Sequence, residues 1–497
     1  MNRITKLLVL FMAAVLLLSC FAACDKKEPP EQETQSESAS DTTKEDWAPN
    51  FKGETLSILG WKSGNITEYV EELTETSSIV DKAVYDRCDY AETRLNVKTT
   101  WEIMENSGFI DTADRGNSTG GKYDMIFNTS TYSQTLMTRG VLSNLKQYPY
   151  LDFEADGWAK SLLNDVTIKN KLYFATGDIS TNLIFMTSVV FFNKDLVKTL
   201  GINEKIQENY GEEDLYSLVT EGKWTLDKMI TLSSDVYLDL TKDGKKNEGD
   251  RFGCNTYLQL LENFYYGGGY TVIKADGDEF SFSDEYMTPD LVGNLLEQVN
   301  DFLHDTDDGF IEADFTATSK SFADGRVLFS MAPASHAYHT HSNTEDLNYS
   351  VLPIPKHSET QERYACTQSF PYAMYSIASQ SKKATPTSAF MQVLAEESYN
   401  LTRPALFDKV MKGRYAEDPV DAEMWEYAVD ANVFDVGRVF QNYFQPEGGE
   451  KTSLTVGLFR ARITADNDNW SGVLGSYAVA MATCISDFAD AIAALPD

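Results

Sequence analysis

The chain has 497 residues, of which 76 are Asp or Glu and 42 are Lys or Arg, so its formal net charge is -34. This excess of acid argues against binding to nucleic acid or to anionic lipid, because both require a positively charged protein face. The hydrophobic fraction of 42% can form a sizeable core. Composition therefore predicts a soluble, monomeric globular protein and identifies no ligand.

Residues 1–23 have the pattern of a signal peptide. A basic start precedes an apolar run at 7–18, which has the length of a signal-peptide core and is too short to span a bilayer. Phe21-Ala22-Ala23-Cys24 then resembles the lipobox of bacterial lipoproteins. The resemblance implies that Cys24 is lipidated, for example with palmitate, and becomes the first residue. Lipidation at Cys20 and an ordinary cleaved signal are the alternatives.

Residues 24–50 combine the lipidated cysteine with a disordered acidic tether. The segment is rich in Glu, Ser, Thr, Gln and Asp and holds almost nothing apolar. Such a sequence cannot bury enough surface to offset its chain entropy. No later segment is predicted to span a membrane, so the protein contacts the membrane through its lipid anchor only.

From residue 51 onward, short apolar strands alternate with helical patterns, which favours an α/β fold. A helix is predicted at 78–95, because Val80, Val84 and Ala91 share a face, and Arg87 is expected to lie off that face. A terminal helical region at 469–494 is predicted to be interrupted near Gly472 and Gly475. The predicted strands are 55–59, 97–101, 123–127, 189–192, 327–331, 349–352 and 372–377.

Four cysteines remain in the body, namely Cys88, Cys254, Cys366 and Cys484. They are widely scattered and lack zinc-site spacing, so buried free thiols are predicted, although an exported protein can form disulfides. The histidines at 336, 339 and 341 could hold zinc only if they converged with another ligand.

Residues 239–250 have the spacing of a calcium-binding loop, with oxygen-bearing side chains and a glycine at the sixth position. The candidate ligands are Asp239, Thr241, Asp243, Lys245 and Asp250. A structural Ca²⁺ is therefore one interpretation, an ordinary polar turn is the other, and no cofactor is required.

Motifs that indicate catalysis are missing from the sequence. It lacks H-E-x-x-H and the protein-kinase signatures, and its G-x-S-x-G match at Gly116–Gly120 precedes a predicted strand, whereas a nucleophile elbow follows one. Gly116 to Lys122 has the spacing of a phosphate-binding loop, but Tyr123 stands where Ser or Thr is needed and a strand follows. We therefore predict a flexible turn there, and we predict that the protein is not an enzyme.

Several motifs, taken in order, resemble extracellular solute-binding proteins of the carbohydrate ABC-transporter type (family 1), including the long lipoprotein branch of Gram-positive bacteria. The resemblance covers most of residues 52–460. The motifs are Tyr123–Phe127, Gly140–Leu145, Lys169–Tyr173, Val189–Leu196, Glu221–Asp227, Phe322–Met331, Tyr349–Pro355 and Arg414–Gly437.

The resemblance implies an α/β fold of two lobes, a periplasmic-binding-protein-like (type II) clamp with a ligand cleft between the lobes. The chain is expected to cross between lobes near 173–192 and 366–377. Lobe 1 would comprise 51–175 plus about 366–415. Lobe 2 would comprise about 176–365 plus 416–497.

The function implied is that of a lipid-anchored receptor on the outer face of the cytoplasmic membrane. It would capture a mono- or oligosaccharide by closure of the lobes and deliver it to the transmembrane permease subunits of an ABC importer. A peptide, polyol or metal ion on the same scaffold is the alternative, and a surface glycoside hydrolase is a more remote one.

Sugar binding needs aromatic faces for C–H groups and polar groups for hydroxyls, both at strand ends. For the aromatic candidates, packing in the core is the alternative interpretation. The candidate contacts are Trp61, Ser130, Tyr132, Asp178, Tyr265, Tyr266, Ser335, His336, Tyr338, Phe370 and Tyr372.

Overall fold

The computed structural model describes residues 49–63, 67–276, 279–445 and 452–495. The predicted signal peptide, the lipidation site and nearly all of the predicted tether lie outside these residues.

The strands are β1 (Glu54–Trp61), β2 (Val97–Met104), β3 (Met125–Asn128), β4 (Ser188–Asn193), β5 (Phe252–Tyr257), β6 (Ile273–Asp276), β7 (Glu279–Phe282), β8 (Gly309–Glu312), β9 (Val327–Pro333), β10 (Tyr349–Pro353) and β11 (Met374–Ile377). The helices are α1 (Ile79–Leu95), α2 (Phe109–Ser118), α3 (Ser130–Thr138), α4 (Lys160–Val166), α5 (Asn182–Phe185), α6 (Lys194–Thr199), α7 (Ile202–Tyr210), α8 (Leu215–Thr220), α9 (Leu226–Ser233), α10 (Asn263–Tyr266), α11 (Pro289–Asn300), α12 (Phe315–Ala323), α13 (Ser335–His339), α14 (Ala384–Glu397), α15 (Lys412–Arg414), α16 (Pro419–Asp430), α17 (Val436–Val439), α18 (Val456–Thr464) and α19 (Trp470–Ala494). Short 3₁₀ turns lie at Leu145–Gln147, Leu258–Leu260 and His341–Asn343, and π-helical turns at Asp301–Asp305, Ser398–Thr402 and Pro404–Met411.

Two separate sheets organise the fold. The four-stranded sheet has the order β11-β3-β1-β2, in which β1 is parallel to β2 and β3 while β11 is antiparallel to β3. The five-stranded sheet has the order β10-β4-β9-β5-β8, with β9, β5 and β8 parallel to one another. Strands β6 and β7 form a separate hairpin. The mixture of sheets and helices is the α/β architecture that the sequence predicts.

The chain passes between the two sheets twice, once between β3 and β4 and once between β10 and β11. The two passing segments also pair with each other. Ala175 bridges Tyr375, and Thr187 bridges Gln368, both antiparallel. We refer to residues 175–187 and 368–375 as the two connecting segments. The exact bounds of the lobes stay a prediction.

Helix α1 begins with a capping box, in which Ser78 and Asp81 satisfy each other's backbone N–H groups. The prediction that Arg87 lies off its apolar face was wrong, because Arg87 is fully buried with Val84 and Ala91. Its position is seven residues after Val80, two helical turns along the same face. The prediction from the sequence pattern was wrong at Arg87 because it assumed that a charged side chain faces solvent.

Arg87 is buried because its donors have partners in three distant segments. Its guanidinium donates to the Ile179 carbonyl at 2.7 Å, to the Ser398 hydroxyl at 2.7 Å and to the Glu68 carbonyl at 2.7 Å. The Glu68 carboxylate lies 3.8 Å from the guanidinium and is buried as well. It accepts hydrogen bonds from Thr181 N at 2.9 Å and from the Tyr375 hydroxyl at 3.0 Å. This pair therefore holds both connecting segments against α1.

The terminal helix α19 is continuous, so the predicted interruption near Gly472 and Gly475 was wrong. Asn469 caps the helix by accepting a hydrogen bond from the Gly472 N–H at 2.9 Å. Among the described residues, α19 is also long and apolar enough to cross a bilayer by length and composition alone, which the sequence analysis did not predict. One face of α19 buries Trp470, Met481 and Phe488, and 22% of its most apolar stretch is buried.

Cys88, Cys254 and Cys366 are buried free thiols, in agreement with the sequence-based expectation, and Cys484 is buried as well. Burial raises the pKa of the Cys88 thiol to about 11 and the pKa of the Cys366 thiol to about 12. Thiols with such pKa values are poor nucleophiles at neutral pH.

Replacing Arg87 tests whether the buried pair anchors the fold. We expect Arg87→Met to lower the free energy of unfolding by about 3–5 kcal/mol, because it leaves the Glu68 carboxylate buried without its partner. Urea denaturation provides the measurement. The double variant Glu68→Gln/Arg87→Met should lose less than the sum of the single variants.

The matched control is Arg139→Met, at an arginine that pairs with Asp114 at 3.2 Å on the surface. We expect a change within about 0.5 kcal/mol there. Equal effects of the two arginine substitutions would contradict the anchoring role of Arg87.

Candidate functional site

A cavity of about 560 Å³ lies beside the carboxyl end of β5, next to the second connecting segment. Leu258 and Gln259 border it directly after the carboxyl end of β5, and Phe370 borders it from the second connecting segment. Its amide and hydroxyl side chains are Gln259, Gln441, Gln445, Thr452, Ser453 and Thr464. Ligand sites in α/β proteins occur at this kind of position, beyond the carboxyl ends of strands.

The segment that carries Gln441 is joined to the four-stranded sheet through α3, which follows β3. The Asn442 N–H donates to the Gln134 side chain at 3.2 Å, and the Gln134 amide donates to the Val439 carbonyl at 3.3 Å. The Asn442 amide also donates to the Thr131 carbonyl at 3.4 Å. A movement of one sheet relative to the other would therefore act on the cavity wall.

Phe370 supplies an aromatic surface to the cavity. It is half-buried, and the guanidinium of Arg438 lies over its ring, 4.1 Å from the ring centroid. Arg438 is fixed by hydrogen bonds to the Glu262 carboxylate and to the Gln368 carbonyl. The ring therefore rests on a rigid, charged support.

Beneath the cavity, the buried Glu262 carboxylate is shared by two arginines. Arg438 bonds one oxygen, and Arg460 Nη1 lies 3.1 Å from the other. Burial acts to lower the pKa of Arg438, but the charge of Glu262, the hydrogen bond to Glu262 and the neighbouring Tyr372 and Tyr266 together outweigh this effect and leave that pKa raised. Arg438 therefore stays protonated. Arg460, which contacts the same carboxylate, also borders the cavity.

The structure distributes the predicted ligand contacts over several environments. Phe370 lines the cavity, and Ser130 begins α3 beside Thr131. Tyr132 and Tyr338 are half-buried, and Asp178 forms an ion pair with Arg403 at 3.0 Å. Fully or almost fully buried are Trp61, Tyr265, Tyr266, Ser335, His336 and Tyr372.

The burial of the aromatic residues favours core packing over ligand contact. The Tyr265 hydroxyl donates to the Thr271 carbonyl at 2.9 Å, and its ring packs against Tyr286 and Phe459. No measurement on a complex tests these contacts, so their role with a ligand stays a prediction.

Two of the three clustered histidines, His336 and His341, pack against each other with ring centroids 5.7 Å apart, and each also packs against an aromatic ring. His336 packs edge-on against Phe315, with ring centroids 4.2 Å apart, and His341 packs against Phe191 at 4.6 Å. His339 is half-buried on the same short helix, α13. Burial lowers the pKa of His341 to about 3 and that of His336 well below its ordinary value. In the described ranges, no group of three or more His, Cys, Asp or Glu side chains is placed to hold a metal ion.

The carboxylates of the 239–250 loop accept hydrogen bonds from the loop itself. Asp239 accepts from the N–H groups of Lys242 at 2.5 Å and Gly244 at 2.9 Å, and the Gly244 bond is the main cause of its lowered pKa. Asp250 accepts from the N–H groups of Leu240 and Asn247, both at 3.1 Å. These bonds favour the polar turn, and calcium binding by Asp239, Thr241, Asp243, Lys245 and Asp250 stays a prediction.

Sequence reasoning missed Gln259, Gln441 and Arg460. Gln259 follows β5, and β5 was not recognised because Asn255 and Thr256 interrupt its apolar pattern. Both residues are fully buried in the sheet. A search for polar residues after every short β-branched or aromatic run would have found Gln259. Nothing in the sequence brings residues 441–445 and 452–465 to the end of β5.

Residues 89–403 match the family model described as bacterial extracellular solute-binding protein. The chain therefore belongs to the bacterial extracellular solute-binding protein family. No curated protein matches the chain at a significant level.

Solved structures with the same fold include sugar-binding proteins. One is a cyclo/maltodextrin-binding protein complexed with maltotetraose, with 11% identity, a TM-score of 0.56 and coverage of 88% of this chain and 99% of that one. The galacto-N-biose-/lacto-N-biose I-binding protein of the ABC transporter from Bifidobacterium longum, in complex with lacto-N-biose, has 12% identity, a TM-score of 0.54 and coverage of 88% and 98%. The extracellular solute-binding protein from Staphylococcus aureus, in complex with maltose, has 14% identity, a TM-score of 0.54 and coverage of 88% and 99%. At these identities the likeness shows the fold, which is the two-lobed clamp.

The buried histidines predict an acid-sensitive core. The pKa of His341 is lower in the folded protein than its ordinary value of 6.5, so the unfolded chain binds more protons. This contribution to stability is present above about pH 6.5 and is lost as pH falls towards 3, by about 1.4 kcal/mol per pH unit at most. Burial raises the pKa of Asp165 and of Asp435 to about 6. These two carboxyl groups therefore make the free energy of unfolding rise as pH falls, opposite to the effect of His341.

We therefore compare wild type with His341→Phe by urea denaturation between pH 7.5 and 5. The stability of the variant relative to wild type is expected to improve as pH falls, because the variant lacks the titrating imidazole. His304→Gln, at an exposed histidine, serves as a control. Parallel pH profiles for wild type and His341→Phe would refute the assignment.

Proposed function

We propose that this solute-binding protein is the lipid-anchored receptor of an ABC importer and that it captures a mono- or oligosaccharide between its lobes. The observation that supports this proposal most directly is the cavity beside the carboxyl end of β5, which the second connecting segment and residues 441–445 and 452–465 also border. It combines the Phe370 ring with several amide and hydroxyl groups. That combination suits the C–H faces and hydroxyls of a sugar, and the volume is within the usual range for small-ligand sites.

Closure of the lobes would secure the ligand. The connecting segments bridge each other at Ala175–Tyr375 and Thr187–Gln368, which gives a narrow region about which the two sheets can rotate. Phe370 lies inside this region, so rotation would change its distance from Gln259 and Gln441. The solved structures described above hold maltotetraose, lacto-N-biose and maltose, which supports a carbohydrate as the ligand class.

Export and anchoring rest on the amino-terminal sequence. Cys24 would carry the lipid, the acidic tether would hold the body near the outer face of the cytoplasmic membrane, and the permease subunits would receive the ligand. The protein acts as a monomer and performs no catalysis in this proposal. Binding of a peptide, polyol or metal ion, and turnover of glycosides, are the rival outcomes of the experiments below.

Calorimetry with a panel of mono- and oligosaccharides tests the ligand class, using the full mature chain with Cys24→Ser for solubility. We expect Phe370→Ala to weaken binding about 10–100-fold, because the sugar loses its aromatic platform. Gln441→Ala is expected to cost about 0.5–1.5 kcal/mol, the contribution of one hydrogen bond.

Tyr399→Ala, at an aromatic residue that is 42% exposed, is the matched control and should leave affinity unchanged. The carbohydrate assignment would be rejected if calorimetry detected no binding of any saccharide but did detect binding of a peptide or a metal ion. Hydrolysis of chromogenic glycosides would instead indicate an enzyme.

Substitution of the two amino-terminal cysteines tests the anchor. We expect Cys24→Ser to move the protein from the membrane fraction to the medium or soluble fraction, because more than one acyl chain is needed for stable attachment. Cys20→Ser should stay membrane-bound. Mass spectrometry of the amino terminus identifies the acylated residue, and the reverse pattern would assign the lipid to Cys20.

A further inference from the structure

Among the described residues that border the cavity, the charged side chain is a cation, although the protein as a whole is acidic. Arg460 lines it, and no Asp or Glu is among the described residues that border it. The chain carries a formal charge of -34, so a positively charged cavity is not a consequence of composition. Local charges of this kind attract ligands of the opposite sign.

Within the described residues, two guanidinium groups of the arginine cluster share one carboxylate. Glu262 is fully buried and supplies one negative charge to two guanidinium groups, those of Arg438 and Arg460. Asp435 is the other buried carboxylate in this region, but its oxygens accept the N–H groups of Val272 at 2.6 Å and Arg438 at 3.1 Å. It does not border the cavity.

Arg438 and Arg460 differ in their available donors. Arg438 is 3% exposed and bonds Glu262 and the Gln368 carbonyl, while its face covers Phe370. The Arg460 side chain is 16% exposed and contacts Glu262 through Nη1. Arg460 also borders the cavity, whereas Arg438 does not.

We propose that the ligand is an acidic saccharide whose carboxylate binds Arg460, with Phe370 and the amides binding the neutral part of the sugar. This inference rests on the proposed carbohydrate function and specifies its substrate class. A guanidinium presents parallel N–H donors that match the two oxygens of a carboxylate, which explains an arginine rather than a lysine at this position.

Matched pairs of sugars test the proposal by calorimetry. The probes are glucuronate against glucose, and digalacturonate against galactobiose. We expect the acidic member of at least one pair to bind at least ten times more tightly, with an affinity that falls as salt is added. Arg460→Gln should reduce binding of the acidic sugar about 10–100-fold and change binding of the neutral sugar less than threefold. Arg460→Lys should retain part of the preference.

Arg139→Gln, at an exposed arginine on the first lobe, is the control and should leave both affinities unchanged. Melting temperature confirms that each variant is folded, and the Arg460→Lys result stands if Arg460→Gln is unstable. Neutral sugars that bind as tightly as acidic ones would overturn the acidic-ligand proposal and leave the carbohydrate function intact. Binding of an acidic peptide but of no saccharide would overturn the carbohydrate function, and binding of none of these probes would overturn both.

Discussion

The Arg87 guanidinium and the Glu68 carboxylate are buried together where the chain leaves the four-stranded sheet. Between them they bind the backbone of residues 179–181, the hydroxyl of Ser398 and the hydroxyl of Tyr375. Two buried charges are costly unless their remaining hydrogen-bonding groups are satisfied. The hydrogen bonds that satisfy the two buried charges therefore hold α1 and both connecting segments together. Any relative motion of the two sheets must take place beyond this point.

Contacts made by the connecting segments position one wall of the cavity. Gln368 pairs with Thr187, and its carbonyl binds the Arg438 guanidinium. Asn432 reinforces the junction, because its amide donates to the Thr187 hydroxyl at 2.7 Å and its oxygen accepts from Gln368 at 2.8 Å. Arg438 in turn supports Phe370. The residues that connect the sheets therefore also position the aromatic surface of the site.

Much of the fold could be predicted from sequence, because most strands are short apolar runs closed by turns. Strand β5 could not be predicted, because Asn255 and Thr256 interrupt its apolar pattern. These two polar residues are buried in the sheet through pairing with neighbouring strands, which the local sequence does not show. The burial of Arg87 on the apolar face of α1 could not be predicted either, because its hydrogen-bond partners lie 19, 92 and 311 residues away in the chain. Of the proposed ligand contacts, Phe370 borders the cavity, whereas Tyr265, Tyr266 and His336 lie in the core.

The sequence by itself determined the class of fold, the family resemblance and the expectation of an exported, anchored protein, because these depend on local patterns and on motif order. The tertiary structure alone decided which polar residues share the cavity and that Arg438 and Arg460 share the Glu262 carboxylate. Glu262, Arg438 and Arg460 are far apart in the chain, and the charge of the cavity depends on their distances in space. Electrostatic interactions between side chains follow separation in the folded protein, which no local pattern records.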